Sequence, residues 1–239
     1  MKRSDTCQWY SIGYLVLGFA AGGLYHWLYT AFMQDRQSML LAGGSVAEIL
    51  LWVLTAIALV GAFVLCRGKG IPQPSRFLGA FGDLVFAAGV ASLWLEEPHG
   101  PVVLVRLYRV FICAGAASLL VSAVLRASGK KQNFLLEIAP CVLCILQLVE
   151  CYQLWSEVPQ LMDYVLGVGA ILFLTLTAYH RMARVSGLKT CPRHYAFGLL
   201  SVYFCCAAVF QGDSAPFYAA AAIWVMTDLT ALTAVEKKA

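Results

Sequence analysis

The sequence predicts an all-α fold: a polytopic membrane helix bundle of about eight transmembrane helices, in a single domain covering residues 1–239. Composition is the first reason, because 61% of the residues are hydrophobic and 13% are charged, whereas a soluble domain carries about 25% charged residues. Segment length is the second, because the apolar stretches reach the roughly 20 residues that a helix needs to cross a bilayer. The third is that the turns between them are short and rich in Gly, Pro and charge.

Eight apolar segments follow one another along the chain. They cover residues 9–33, 44–66, 76–95, 101–126, 133–155, 160–183, 194–211 and 215–235. The first is expected to be retained as a helix, because its apolar run of about 25 residues lacks the small-residue cleavage site of a signal peptide. The second is expected to begin with a capping box, in which the Glu48 side chain reaches the backbone N–H of Ser45.

The distribution of Lys and Arg predicts which helix ends face the cytoplasm, because cytoplasmic turns hold the excess of basic residues. Of the 17 basic residues, 14 fall at one end of this threading. They are Lys2, Arg3, Arg67, Lys69, Arg76, Arg126, Lys130, Lys131, Arg181, Arg184, Lys189, Arg193, Lys237 and Lys238. The protein is therefore expected in the cell membrane with both termini in the cytoplasm.

The two halves of the chain, 1–127 and 128–239, resemble each other in outline. The segments "SRFLGAFGDLVF" (75–86) and "PRHYAFGLLSVYF" (192–204) both follow a basic turn and open a helix. Parallel repeats of this kind occur in some transporters. The charged residues do not repeat, so a true duplication and a chance likeness between two four-helix halves both stay open.

Ionisable side chains in the outer half of the predicted helices form the first candidate site. These are His26, Glu48, Arg106, Arg109 and Glu150. Ionisable residues within a span are candidates for function, and guanidinium groups suit carboxylate and phosphate. One hypothesis is that Arg106 and Arg109 bind a small anionic solute or a lipid headgroup. The preferred interpretation is structural: the arginines pair with Glu48 or Glu150 or extend to the interface, and His26 belongs to an aromatic belt.

Three carboxyl side chains lie in the inner half of the predicted helices: Asp83, Glu137 and Asp228. Glu137 is expected to pair with Lys130 or Lys131, which precede the same helix. Asp83 and Asp228 lie deeper, and buried carboxyls take up a proton when no cation is near. A proton- or cation-coupled site and a pair of hydrogen-bonded helix contacts are both open interpretations.

The stretch "APCVLCILQLVEC" (139–151) contains a Cys-x-x-Cys pair, Cys141 and Cys144. It resembles the Pro-Cys-x-x-Cys of quinone-coupled, disulfide-forming membrane oxidoreductases of the DsbB type, which implies that the pair passes electrons to a quinone. The chain departs from that pattern, because Leu148 stands where the family has an Arg and no predicted outer loop contains a Cys. The preferred interpretation is that both cysteines are small apolar core residues.

The eight-helix outline, with "GLYHWLYTAFMQDRQSML" (23–40) at the first outer turn, also resembles uncharacterised membrane proteins of Gram-positive anaerobes, and this resemblance implies no activity.

Three classes of function fit the sequence: a transporter or transport subunit for a small solute or lipid, a membrane scaffold or sensor with a protein partner at the basic turns, and a thiol–disulfide oxidoreductase. Membrane lipid is the expected surrounding. No nucleotide-binding or metalloprotease motif is present, so no catalytic residue, cofactor or metal is predicted, and enzyme activity is not favoured. The net charge of +4 is too small to predict a nucleic-acid partner.

Overall fold

The computed structural model describes residues 3–32, 46–65, 76–96, 101–156, 165–188, 193–212 and 214–230. Within these ranges the chain forms eight α-helices and no strand. The helices are α1 (Arg3–Phe32), α2 (Val46–Leu65), α3 (Arg76–Ser92), α4 (Val102–Ala127), α5 (Phe134–Ser156), α6 (Val165–Val185), α7 (His194–Ala208) and α8 (Ala215–Thr230). The predicted all-α fold with eight helices is confirmed. The predicted segment ends at 33, 44–45, 66, 160–164 and 231–235 lie outside the described residues, as does Ser45 of the predicted capping box.

Six of these helices, α2 to α7, are long and apolar enough to cross a membrane. The apolar helix α8 is shorter over its described residues, and α1 falls outside this set. Large apolar side chains remain exposed along the helices, such as Val60 in α2 and Val124 in α4. Lipid is the solvent that suits such a surface. The fold is therefore that of a multi-pass membrane helix bundle.

Two helices end in the same sequence-dictated way, at a glycine in the left-handed region. Gly129 after α4 has φ +68° and Gly187 after α6 has φ +81°. In each case the glycine N–H and the next N–H donate back into the last helical turn, at 2.9–3.1 Å, which is the Schellman arrangement that glycine favours. These ends fix the last turns of α4 and α6, and each of those turns carries an arginine.

Six of the eight helices pack as a closed ring. Helix α3 packs against α4 and α8, α4 against α5, α5 against α6, α6 against α7, and α7 against α8. Helices α1 and α2 lie outside this ring, against α7, and every residue of α7 except Phe197 is consequently buried. The proposal that 1–127 and 128–239 are repeats stays a prediction.

Glycines permit close approach where neighbouring helices meet. A side chain on Gly18 or Gly22 of α1 would overlap the backbone of α7. A side chain on Gly82 of α3 would overlap the Thr227 hydroxyl of α8. Gly18 and Gly22 therefore allow α1 to lie against α7, and Gly82, beside Asp83, allows α3 to lie against α8.

Candidate functional site

One end of the ring, where α3, α5 and α7 begin and α4, α6 and α8 end, holds a group of charged side chains. We call this the charge cluster, and its members are Asp83 (α3), Arg126 (α4), Glu137 (α5), Arg181 and Arg184 (α6) and Asp228 (α8). The Arg184 side chain is 16% exposed and the other five are at most 7% exposed. The sequence excess of Lys and Arg is also at this end, which we call the basic end.

Asp83 and Arg181 form the centre of the charge cluster. Arg181 Nη2 donates to Asp83 Oδ1 at 2.6 Å, and the two side chains are 1% and 0% exposed. Trp224 of α8 donates its Nε1–H to the same oxygen at 2.8 Å. The Arg181 guanidinium also lies 4.6 Å from the centre of the Trp224 ring, within cation–π distance. These contacts tie α3, α6 and α8 together at one point.

Glu137 brings the first turn of α5 into the charge cluster. Arg181 Nη2 donates to Glu137 Oε1 at 3.1 Å, and Ser122 of α4 donates to the same oxygen at 3.3 Å. The expected partners, Lys130 and Lys131, are exposed. The pairing predicted for Glu137 is therefore wrong, because its side chain faces into the ring toward α6 and not toward the preceding turn.

Asp228 connects the remaining two arginines. Arg184 Nη2 donates to Asp228 Oδ2, and Arg126 Nη1 lies 3.5 Å from Asp228 Oδ1. Arg126 also faces the first aspartate, with its Nε 3.3 Å from Asp83 Oδ2. Arginines therefore lie beside both Asp83 and Asp228. A proton- or cation-coupled site at these carboxylates stays a prediction.

Local structure explains why the arginines reach inward. Arg126 and Arg184 lie in the last turns of α4 and α6, where the helix dipole favours a cation. Arg126 passes over Gly79 of α3, where any side chain would overlap its guanidinium. Its Nη2 also donates to Gln132 at 3.4 Å. The chain thus provides both the space and the polar contacts for a guanidinium at this depth.

The charge cluster affects the use of basic residues as indicators of membrane orientation. Arg126, Arg181 and Arg184 were assigned to cytoplasmic turns, but the structure turns them toward buried carboxylates. They therefore give less information on orientation than a solvated turn residue does. An excess of Lys and Arg at this end remains without them, and the cytoplasmic orientation stays a prediction.

The five residues of the predicted outer site lie on four helices. Arg106 is exposed on α4, and the guanidinium of Arg109 lies 5.1 Å from the ring centre of Trp94. His26 is exposed on α1, with its ring 6.4 Å from that of Phe210. The partly buried Glu48 lies on α2 and Glu150 on α5. An anion bound at the two arginines stays a prediction.

The Cys-x-x-Cys pair lies in the apolar interior. Cys141 is 7% exposed and Cys144 is 0% exposed, and both are free thiols. Helix α5 runs without a break from Phe134 to Ser156 with Pro140 inside it, so the pair does not open a helix. Burial disfavours the reactive thiolate and supports the interpretation of both cysteines as core residues. The redox alternative stays a prediction.

Sequence reasoning missed a neutral polar group in the other half of the ring. Tyr108 of α4 donates its hydroxyl to Gln147 of α5, and Gln147 Nε2 lies 3.5 Å from Cys151 Sγ. These three side chains are buried. A neutral polar residue in an apolar helix is hard to identify as a site residue from a single sequence. The six residues of the charge cluster could all be identified as ionisable residues.

The charge cluster offers ion pairing and proton exchange as its chemistry. Across the part of the chain that the structure describes, no three His, Cys, Asp or Glu side chains form a group that could hold a metal ion. The cluster draws charged side chains from five of the six ring helices, and His194 of the sixth lies buried at its edge. Comparisons of the chain with family models, with curated proteins and with solved structures found no match.

Proposed function

We propose that this protein transports a small solute across a membrane, that the ring α3–α8 is its transport core, and that the charge cluster closes the basic end of that core. The observation that carries the proposal is the cluster itself. Buried charges from five helices meet at one end of a ring of six. Ionisable groups at such depth in a membrane protein mark ion or substrate pathways.

The energetics of buried ion pairs favour a gate over a static clamp. Replacing a buried ion pair with apolar residues of similar volume is often neutral or stabilising. A scaffold would therefore gain little stability from six buried charges, because Leu or Phe could pack at the same positions. A gate gains from them, because water that enters on opening hydrates each separated charge and lowers the cost of opening. Apolar side chains would receive no such compensation from water.

A small anionic solute is the substrate class that the cluster suits best. Opening the basic end would separate the three guanidinium groups from their carboxylates, and guanidinium groups bind carboxylate and phosphate well. Arg181 is the most buried of these cations, at 1% exposure. The same chemistry would admit a lipid headgroup. The predicted site at Arg106 and Arg109 would then serve the opposite end of the ring.

The basic end is assigned to the cytoplasm of the cell, on the excess of Lys and Arg there. A protein partner at the basic turns belongs to the scaffold alternative, and turn residues 66–75 and 189–192 lie outside the described residues. The thiol oxidoreductase alternative would require Cys141 and Cys144 to be reached by a partner. Their burial makes this the less favoured activity.

Accessibility of Cys144 tests the proposal. Cys144 follows Glu137 by seven residues on α5 and so lies about 10 Å deeper on the same helix face. A protein with Cys144 as its only cysteine would be placed in liposomes and treated with a small impermeant thiol reagent from one side at a time. We expect slow labelling from both sides, since a transporter opens alternately to each.

Two gate variants sharpen the test. Asp228→Asn and the milder Arg184→Gln should each accelerate labelling from the basic end, because each removes an ion pair that holds that end closed. The exposed neighbour Lys131→Gln is the matched control and should leave the rate unchanged. Cys144 that stays unreactive from both sides in all four proteins would contradict transport and favour the scaffold.

A further inference from the structure

His194, the first residue of α7, is a buried histidine. Its side chain is 1% exposed, and neither Nδ1 nor Nε2 has a hydrogen-bond partner among the residues that the structure describes. Buried polar groups in folded proteins nearly always have a partner. Two such atoms on one imidazole therefore call for a functional explanation.

Among the described residues, the charged and titratable groups that face His194 come from two helices. Helix α6 contributes Arg184, Arg181 and His180, and α8 contributes Asp228; the His180 ring lies 5.7 Å from the His194 ring. In the closed arrangement Asp228 is occupied by Arg184 and Arg126. A proton on His194 would add a positive charge beside two guanidinium groups, with no carboxylate free to receive it. The closed gate therefore excludes the protonated imidazole.

Other buried atoms of the charge cluster also lack a hydrogen bond among the described residues: Arg181 Nη1, Arg126 Nε and Asp228 Oδ1. The last two make only ion-pair contacts, at 3.3 and 3.5 Å. Water can form hydrogen bonds with neighbouring buried donors and acceptors that have no hydrogen bond within the protein. Entry of water at the basic end would therefore be favourable at this point, and it would reach His194 at the same time.

We infer that His194 is a proton-binding site that controls the gate, a role that rests on the transport function proposed above. When the basic end opens, Arg184 and Arg126 both separate from Asp228, and the carboxylate is left free. A proton from the solution then binds one ring nitrogen of His194, and the imidazolium pairs with Asp228 in place of Arg184. On closing, Arg184 takes Asp228 back and the proton returns to water. Acid therefore favours the open gate.

The rate of Cys144 labelling from the basic end measures the effect of pH on the open population. An imidazole in water is half protonated near pH 6.5, so binding of a proton only in the open form raises the open population about tenfold between pH 7.5 and pH 5.5. Labelling of Cys144 from the basic end should rise by that factor. Because the thiolate is the reacting form, each rate is normalised to that of the unfolded chain at the same pH.

Three variants complete the design. His194→Gln cannot titrate and should give rates that do not change with pH, whereas His194→Lys should label rapidly at both pH values. His180→Gln removes the half-buried neighbouring histidine, which stacks on Phe197 at 5.4 Å. This variant tests whether His180 is the titrating group instead, and it should keep the tenfold response.

The outcomes separate this inference from the proposed function. A pH response that survives in His194→Gln, or is lost in His180→Gln, overturns the role of His194. A wild-type rate that ignores pH while Asp228→Asn still accelerates labelling refutes the proton site and leaves the gate in place. Cys144 that reacts in no variant at either pH overturns both.

Discussion

Removal of the central carboxylate is the most direct test of the charge cluster. Asp83→Asn keeps the shape of the side chain and an oxygen that can accept from Trp224 Nε1, now at 2.8 Å. It removes the negative charge that faces Arg181 at 2.6 Å and Arg126 at 3.3 Å. The cluster would then hold three guanidinium groups against two carboxylates.

The expected loss follows from these distances. At an effective dielectric constant of about 20, the two contacts contribute about 6 and about 5 kcal/mol of attraction. The cost of burying the carboxylate, several kcal/mol per ion, offsets part of this. A net loss of about 3–5 kcal/mol in the free energy of unfolding remains, which is the usual cost of breaking a buried pair. For a chain of this length that corresponds to a fall of about 6–20 °C in Tm.

The assay is thermal unfolding of the purified protein in detergent micelles. Lys130→Gln is the matched control, since it removes an exposed charge at the same end and should change stability by at most about 0.5 kcal/mol. Addition of Arg126→Gln to Asp83→Asn restores charge balance and should recover much of the loss. An Asp83→Asn protein as stable as the Lys130→Gln control would refute the reasoning, as would a double variant that is less stable than either single one.

Three further predictions concern packing, the thiols and orientation. Gly82→Ala should lower the free energy of unfolding by about 1–3 kcal/mol, because its methyl group would overlap a hydroxyl of α8; the control Gly13→Ala, with nothing within 4 Å, should not destabilise the protein in the same unfolding assay. Replacement of both cysteines of the Cys-x-x-Cys pair by alanine should lower the free energy of unfolding by about 1–2 kcal/mol through lost packing and leave the protein's function intact. Isolation of a mixed disulfide with a soluble partner would contradict this prediction. On intact cells, an impermeant maleimide should label Pro101→Cys, at the start of α4, and label Ser128→Cys, at its end, only after permeabilisation. The reverse pattern would show that the orientation is inverted.

The helices could be predicted from the sequence because their signal is local. An apolar run such as 101–126 reports its own length, and the structure places α4 at Val102–Ala127. The partners of its side chains could not be predicted in that way. Asp83 and Arg181 are 98 residues apart, and a helix that is apolar on all faces does not show which face turns inward.

The inward direction of the arginine side chains could not be predicted, for a physical reason. Arg126 and Arg184 lie in last turns, which is where basic residues of a membrane protein usually meet the cytoplasm. Their long side chains can extend either outward or back along the helix, and the sequence does not distinguish the two directions. The balance of charge carries a usable signal. Three acidic residues and three arginines all lie within one or two turns of the helix ends that meet at the basic end.

Balance of charge also explains how such a cluster can operate inside a membrane. Three guanidinium groups and three carboxylates leave the charge cluster without net charge, so no isolated ion is held in the apolar interior at a cost of several kcal/mol. Each helix alone would carry an unpaired charge; Asp83 on α3 and Arg126 on α4 are examples. In the proposed transporter the ring would therefore be stable when its basic end is closed and dry, or when it is open and hydrated. A partly opened, dry arrangement would leave charges unpaired, and this penalty would separate the two states, as alternating access requires.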